Sequence, residues 1–121
     1  MARILVIEDD LAIAHAYELA LVRAGHVVDL ATDGEQGLKM YTPEHQVVLL
    51  DMLLPGYDGL DFLRHLNING RPNAPKVIAL SNIDTPQIIT AAKEMGVSQY
   101  LLKVEYTPEQ VVDIVAQQLG R

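Results

Sequence analysis

Six acidic, hydroxyl and amine side chains carry the chemistry that this sequence can do: Glu8-Asp9-Asp10, Asp51, Ser81 and Lys103. Each stands at the carboxyl end of a short apolar run: Ile4-Leu5-Val6-Ile7, Val47-Val48-Leu49-Leu50, Val77-Ile78-Ala79-Leu80 and Tyr100-Leu101-Leu102. Gathered in one pocket, the carboxylates would repel one another and raise at least one pKa unless a cation sat among them. Oxygen ligands without Cys or His favour a hard ion, and few carboxylates with open water positions suit Mg²⁺ better than a caged Ca²⁺; Mn²⁺ could substitute. Mg²⁺ beside an ammonium and a hydroxyl is equipment for phosphoryl transfer. Lys103 neutralises phosphoryl oxygens, Ser81 donates to another, and Asp51, at its strand tip, is the best-placed nucleophile.

Gathering those residues is a task for the elements. Short, β-branched apolar runs alternating with helical patterns read as strands of a parallel sheet covered on both faces. Helices are predicted over 11–24, from Asp33 to Tyr41, from Asp58 to Leu66, from Asp84 or Thr85 to Met95, and over 108–119. Asp10, Asp33, Asp58 and Thr107 are their N-caps, and Gly25 and Gly96 their stops. Leu11, Ala14, Leu19 and Val22 give the first helix its stripe. Strands fall at about 27–31 and 46–50 besides the first, fourth and fifth. Strict alternation with right-handed crossovers predicts a doubly wound (βα)5 α/β sandwich, strand order 2-1-3-4-5, with the switch point placing Asp9 beside Asp51.

The bulk numbers bound the rest. The 121 residues make one domain over 1–121, with no repeats or linkers. Half of the residues are hydrophobic, yet no apolar run approaches the roughly 20 needed to cross a bilayer. Met1-Ala2-Arg3-Ile4 runs into a strand with no signal-peptide pattern, so a soluble, cytoplasmic protein without membrane contact is expected. No cysteine is present, which excludes disulfides and thiolate metal sites. A net charge of −7, with only nine dispersed Lys and Arg, argues against a direct grip on nucleic acid.

In order and spacing, these motifs resemble the receiver domain of bacterial two-component response regulators. The residues that carry the resemblance are Ile4 to Asp10, Leu49 to Gly56 with Asp58-Gly59, Ala79-Leu80-Ser81 and Tyr100 to Lys103; Ser81 lies 30 residues after Asp51, and Lys103 lies 22 after Ser81. The resemblance implies that Asp51 is the phospho-acceptor, attacking a phosphohistidine of a sensor histidine kinase or phosphotransfer protein. It implies Mg²⁺ held by Asp9 directly, by Glu8 through water, and by Asp51 and the Leu53 carbonyl. Lys103 would pair with the phosphoryl group, Ser81 would move toward it, and Tyr100 would turn inward, reshaping the face of helix four, strand five and helix five for a downstream effector or a fused output domain.

The chain departs from the family pattern at Asn82, where a small residue is usual, and at Val104, where Pro is usual. Asn82 either narrows access to the phosphoryl group or offers it an amide. Val104 removes the usual cause of a cis peptide, so a trans bond and a different entry to the last helix are expected. Leu53 and Ile83 at the pocket mouth would hinder hydrolytic water and slow self-dephosphorylation. Blander readings apply elsewhere: Asp10, Asp33, Asp58 and Asp84 as caps, Pro55-Gly56 as a turn, and His15, His26, His45 and His65 without function. Lys93 and Glu94 on helix four, with only Glu109 and Asp113 on helix five, make a thin charged dimer face, so a monomer or weak dimer is expected. Three alternatives compete. A Mg²⁺ phosphohydrolase would want a second Asp where Leu53 stands, and a flavodoxin-like cofactor site would be repelled by Glu8-Asp9-Asp10. A degenerate receiver would signal without phosphate.

Overall fold

The computed structural model describes residues 1–54, 58–82 and 85–120. In chain order the elements are β1 Arg3–Ile7, α1 Leu11–Arg23, β2 Val27–Ala31, α2 Gly34–Met40, β3 His45–Asp51, α3 Gly59–Leu66, β4 Lys76–Ser81, α4 Pro86–Glu94, β5 Gln99–Leu102 and α5 Pro108–Gln118, with a 3₁₀ turn at Lys103–Glu105. All strand pairings are parallel, and the sheet order is β2-β1-β3-β4-β5.

The strands are continuous apolar runs because both faces are covered, and side chains alternate between them. Leu5, Ile7, Val48, Leu50, Val77 and Ala79 face one layer with Phe62 and Leu63 of α3. Ile4, Val6, Val47, Leu49, Ile78 and Leu80 face the other, against Tyr17 and Leu21 of α1 and Val111 and Val115 of α5. Among the described residues no helix is long and apolar enough to cross a membrane.

Side chains fix where most helices begin. Asp10 Oδ1 accepts from the amides of Ala12 (3.0 Å) and Ile13 (3.2 Å), Asp33 from Gln36 (2.7 Å), and Asp58 from Asp61 (2.8 Å). Thr107 and Gln110 form a reciprocal capping box at α5. Thr85 is the N-cap residue of α4 without a side-chain cap bond; Asp84, Pro55, Gly56 and Ile83 lie outside the described residues.

Two readings need correction. Of the stripe expected on α1 only Ala14 faces inward: Leu11, Leu19 and Val22 are exposed, while Tyr17 and Leu21 join Ala14 in the core. This helix is apolar nearly all round, so periodicity could not select its inner face. His45 does not lie in a loop but begins β3, buried, with Nδ1 accepting from the Thr42 amide at 3.0 Å and Nε2 at 2.7 Å from Asp29 Oδ2. His26 is likewise buried and accepts from the Ala2 amide at 3.2 Å.

Candidate functional site

At the carboxyl edge of the sheet four strands turn from apolar to polar within a residue or two. Glu8 directly follows β1, with its amide still donating to Ala31 O of β2 at 3.0 Å. Asp51 and Ser81 end β3 and β4, and Lys103 opens the 3₁₀ turn after β5. A crossover connection separates β1 from β3 in sequence but leaves them neighbours in the sheet, which sets Glu8 and Asp9 beside Asp51.

Lys103 ties the cluster together: its Nζ donates to Oδ2 of Asp51 at 3.0 Å and to Oε1 of Glu8. The Leu53 amide donates to Asp51 Oδ1 at 3.0 Å, and the Asp10 amide to Glu8 Oε2 at 3.2 Å. The Glu8 and Asp51 side chains are only 3% and 6% exposed, so water screens their charges poorly. Asp9 is exposed, and Glu8, Asp9 and Asp51 each bring a carboxylate oxygen within 4.8 Å of the others.

Charge does not balance here. Burial pushes the Glu8 carboxyl up to about 7; Lys103 opposes that rise and Asp51 adds to it. Burial alone would lower the Lys103 pKa, but its bonds to Glu8 and Asp51 outweigh this and raise it. Three carboxylates against one ammonium leave negative charge in excess, and the donor atoms are oxygens only. That donor set suits a hard divalent cation such as Mg²⁺.

The segment leaving Asp51 is held by close packing. The Met52 amide donates to Leu80 O at 3.2 Å, and the Gly59 amide to Met52 O at 3.0 Å. A Cβ on Gly59 would lie 2.7 Å from Met52 Cα, so only glycine lets α3 start this near to Asp51.

Comparison with known proteins agrees with this geometry. Residues 4–116 match the family model of the response regulator receiver domain. The chain belongs to that family. Among curated relatives, the transcriptional regulatory protein AfsQ1 of Streptomyces coelicolor is 36% identical over 104 residues, covering 85% of this chain and 45% of AfsQ1. The chain spans about half the length of the first curated relatives it matches. Among solved structures, the BeF3-activated receiver domain of DrrB from Thermotoga maritima is 28% identical with a TM-score of 0.84, covering 100% of this chain and 99% of that one. A CheY-like receiver domain protein from Methanospirillum hungatei shares the fold, with a TM-score of 0.89 at 22% identity over 99% of this chain and 94% of that one.

This receiver thus brings Glu8, Asp9, Asp51 and Lys103 together, as the sequence predicts. Ser81 is fully buried at the end of β4, the strand next to that of Asp51. Tyr100 is half-buried in β5 and packs against the layer beneath α3 and α4. Leu53 is 63% exposed, and Asn82, next to Ser81, is exposed too. No cis peptide bond occurs among the described residues, and the chain enters α5 through the 3₁₀ turn that contains Val104. Sequence reading missed Tyr17, a buried phenol on α1 whose pKa burial raises and the Lys103 charge counters. Its only trace in the sequence is that it is the one aromatic in α1.

Proposed function

We propose that Asp51 is the phospho-acceptor of this receiver. The observation that carries the reading is the Lys103 ammonium held against the buried Asp51 carboxylate at 3.0 Å within a three-carboxylate cluster. A carboxylate oxygen of Asp51 attacks the phosphorus of a phosphohistidine on a sensor kinase or phosphotransfer protein. The P–N bond breaks, its electron pair returns to the imidazole with a solvent proton, and an acyl phosphate forms. Lys103 stays paired with the new dianion, and the Ser81 hydroxyl donates to a phosphoryl oxygen. Mg²⁺ held by Asp9, Glu8, Asp51 and the Leu53 carbonyl would neutralise phosphoryl charge during transfer.

Leu11, Leu53 and Val104 follow Asp10, Asp51 and Lys103 closely in the chain and are 56%, 63% and 83% exposed, an apolar rim suited to a protein donor. Movement of Ser81 frees space for Tyr100, and the α4–β5–α5 surface changes for an effector or an output domain in the same polypeptide, in a cytoplasmic setting. The name of AfsQ1 favours an output that regulates transcription. Leu53 at the pocket mouth, with Ile83, hinders hydrolytic water and slows self-dephosphorylation, while Asn82 either narrows access to the phosphoryl group or offers it an amide.

The test is intact-mass spectrometry after incubation with acetyl phosphate, with and without Mg²⁺, on the parent and on Asp51→Asn. One phosphoryl adduct that needs Mg²⁺ and is absent from Asp51→Asn is the expected result. An adduct that persists in Asp51→Asn would move the acceptor elsewhere. No adduct, together with a spectrum unchanged by beryllofluoride, would establish a receiver that signals without phosphate.

A further inference from the structure

Acids outnumber bases in this chain by 16 to 9, yet no acid falls between Phe62 and Ile83, a stretch that carries Arg64, Arg71 and Lys76. Its middle is the loop from α3 to β4. That loop and the one from α4 to β5 together wall a cavity of about 320 Å³, which Asn69, Arg71, Asn73, Lys76 and Ser98 line and no carboxylate does. Glu94, the nearest acid in the sequence, lines a neighbouring hollow with Arg64 instead. Arg71 and Lys76 take part in no ion pair among the described residues, although Arg3, Lys39, Arg64 and Lys103 all do. Of the three neutral polar side chains in the wall, only that of Asn69 is engaged by another group among the described residues.

The wall is built before any ligand arrives. Asn69 Nδ2 donates to the Glu94 carbonyl at 2.7 Å, which ties the α3–β4 loop to the end of α4. Ile68 is buried against Gly96, where a Cβ would come within 3.0 Å of its Cγ1. Pro72 and Pro75 restrict the backbone on either side of Asn73, which itself stands in the left-handed region at φ 62°. Little loop entropy is left to lose on binding.

Unpaired cations, spare neutral donors and the absence of carboxylates are what an anion requires. A recess with little apolar wall and no aromatic ring suits a small, strongly hydrated one. We propose that this cavity binds a small molecule bearing two phosphate or carboxylate groups, held by Arg71 and Lys76, with Asn73 and Ser98 donating to its oxygens. A nucleic acid or an acidic protein segment would need a broader basic surface than two side chains supply in a chain of net charge −7. Lys76 begins β4 and Ser81 ends it, so the cavity and the phosphoryl-transfer site lie at opposite ends of that strand. The inference does not depend on phosphoryl transfer.

The experiment is a titration with pyrophosphate to about 10 mM, at constant ionic strength and without metal, followed in ¹⁵N spectra; saturable shifts at the amides of Arg71, Asn73, Lys76 and Ser98 with a Kd below about 1 mM are expected. Arg71→Gln and Lys76→Gln, both at exposed positions, should keep the circular dichroism spectrum and each weaken binding about tenfold. Arg23→Gln removes another unpaired cation, on α1, and should leave binding unchanged. No saturable shift by the end of the titration would overturn the proposal. So would shifts no larger around Arg71 and Lys76 than around Arg23, or an affinity that survives the double variant Arg71→Gln/Lys76→Gln. Binding of a hexaglutamate peptide at the same amides in place of pyrophosphate would overturn it too, and would make the cavity part of a docking surface for an acidic protein segment.

Discussion

Both edges of the sheet bury ionisable groups, but they are built on opposite rules. Near the amino edge, His45 accepts from the Thr42 amide through Nδ1 and holds Asp29 through Nε2, while Arg3 Nε donates to the same Asp29 oxygen at 2.9 Å. Every group there has its partners, and the hydrogen bond from Arg3, aided by His45 and opposed by partial burial, holds the Asp29 carboxyl below the usual carboxylate range. At the carboxyl edge one ammonium bonds two of three clustered carboxylates, and burial leaves Glu8 shifted upward. Hydrogen bonding is satisfied at both edges among the described residues; what tells them apart is that Arg3 and its two carboxylates, Asp29 and Glu44, reach solvent, whereas the charges of Glu8 and Asp51 are buried. Charge left over where hydrogen bonds are complete marks a place prepared for something to arrive.

The largest effect expected from this contrast follows Lys103→Met. It strips the cation from two buried carboxylates, so urea denaturation at pH 8 should show a loss of about 3–5 kcal/mol. Phosphoryl uptake from acetyl phosphate should be lost as well. Near-parental stability would mean that the carboxyl edge is not under the stress described. His45→Ala at the other edge should cost about 2 kcal/mol, because it empties a buried site and orphans the Thr42 amide, yet leave phosphoryl uptake intact. If uptake fell with it, the two edges would be coupled. Mg²⁺ at ten times its Kd should raise the stability of the parent and of His45→Ala by about 1.4 kcal/mol. Asp9→Asn should show no such gain, and metal removal with EDTA should reverse it in the other two.

The smallest effect is one of sign. With Glu8 near 7 in the folded protein and about 4.5 unfolded, the folded state holds an extra proton between those values. Acidifying a metal-free sample from pH 8 to pH 5 should therefore raise the urea midpoint, and Glu8→Gln should remove that rise. Asp29 has a depressed pKa, so its contribution is present above the unfolded value near 3.8 and lost as pH falls through the folded one. A midpoint that falls steadily between pH 8 and pH 5 would contradict the assignment of excess charge to the carboxyl edge.

Much of this was legible in the sequence because local rules and global topology agree there. Asp10, Asp33, Asp58 and Thr107 cap the predicted helices, and the strands end within a residue or two of expectation, since their limits are written in short-range chemistry. The site followed from topology alone, as parallel strands put Asp51, Ser81 and Lys103 at one edge. Three things were not legible. The inner face of α1 was hidden by its own excess of apolar residues. The buried roles of His45 and His26 depend on partners far away in sequence, Asp29 and Ala2. The sharing of Lys103 between Glu8 and Asp51 is a matter of ångströms, which spacing does not encode.

The Asp10 and Leu53 amides, each donating to one carboxylate of the site, have a practical use. An N–H aimed at a carboxylate resonates at a frequency that tracks the charge on that oxygen. In a two-dimensional ¹⁵N spectrum the Asp10 peak is thus a private gauge of Glu8, and the Leu53 peak one of Asp51. A titration that moves the first alone records proton uptake, whereas one that moves the second records occupancy at the acceptor. The two events can be separated without a dye, a mutation or a radioactive phosphate.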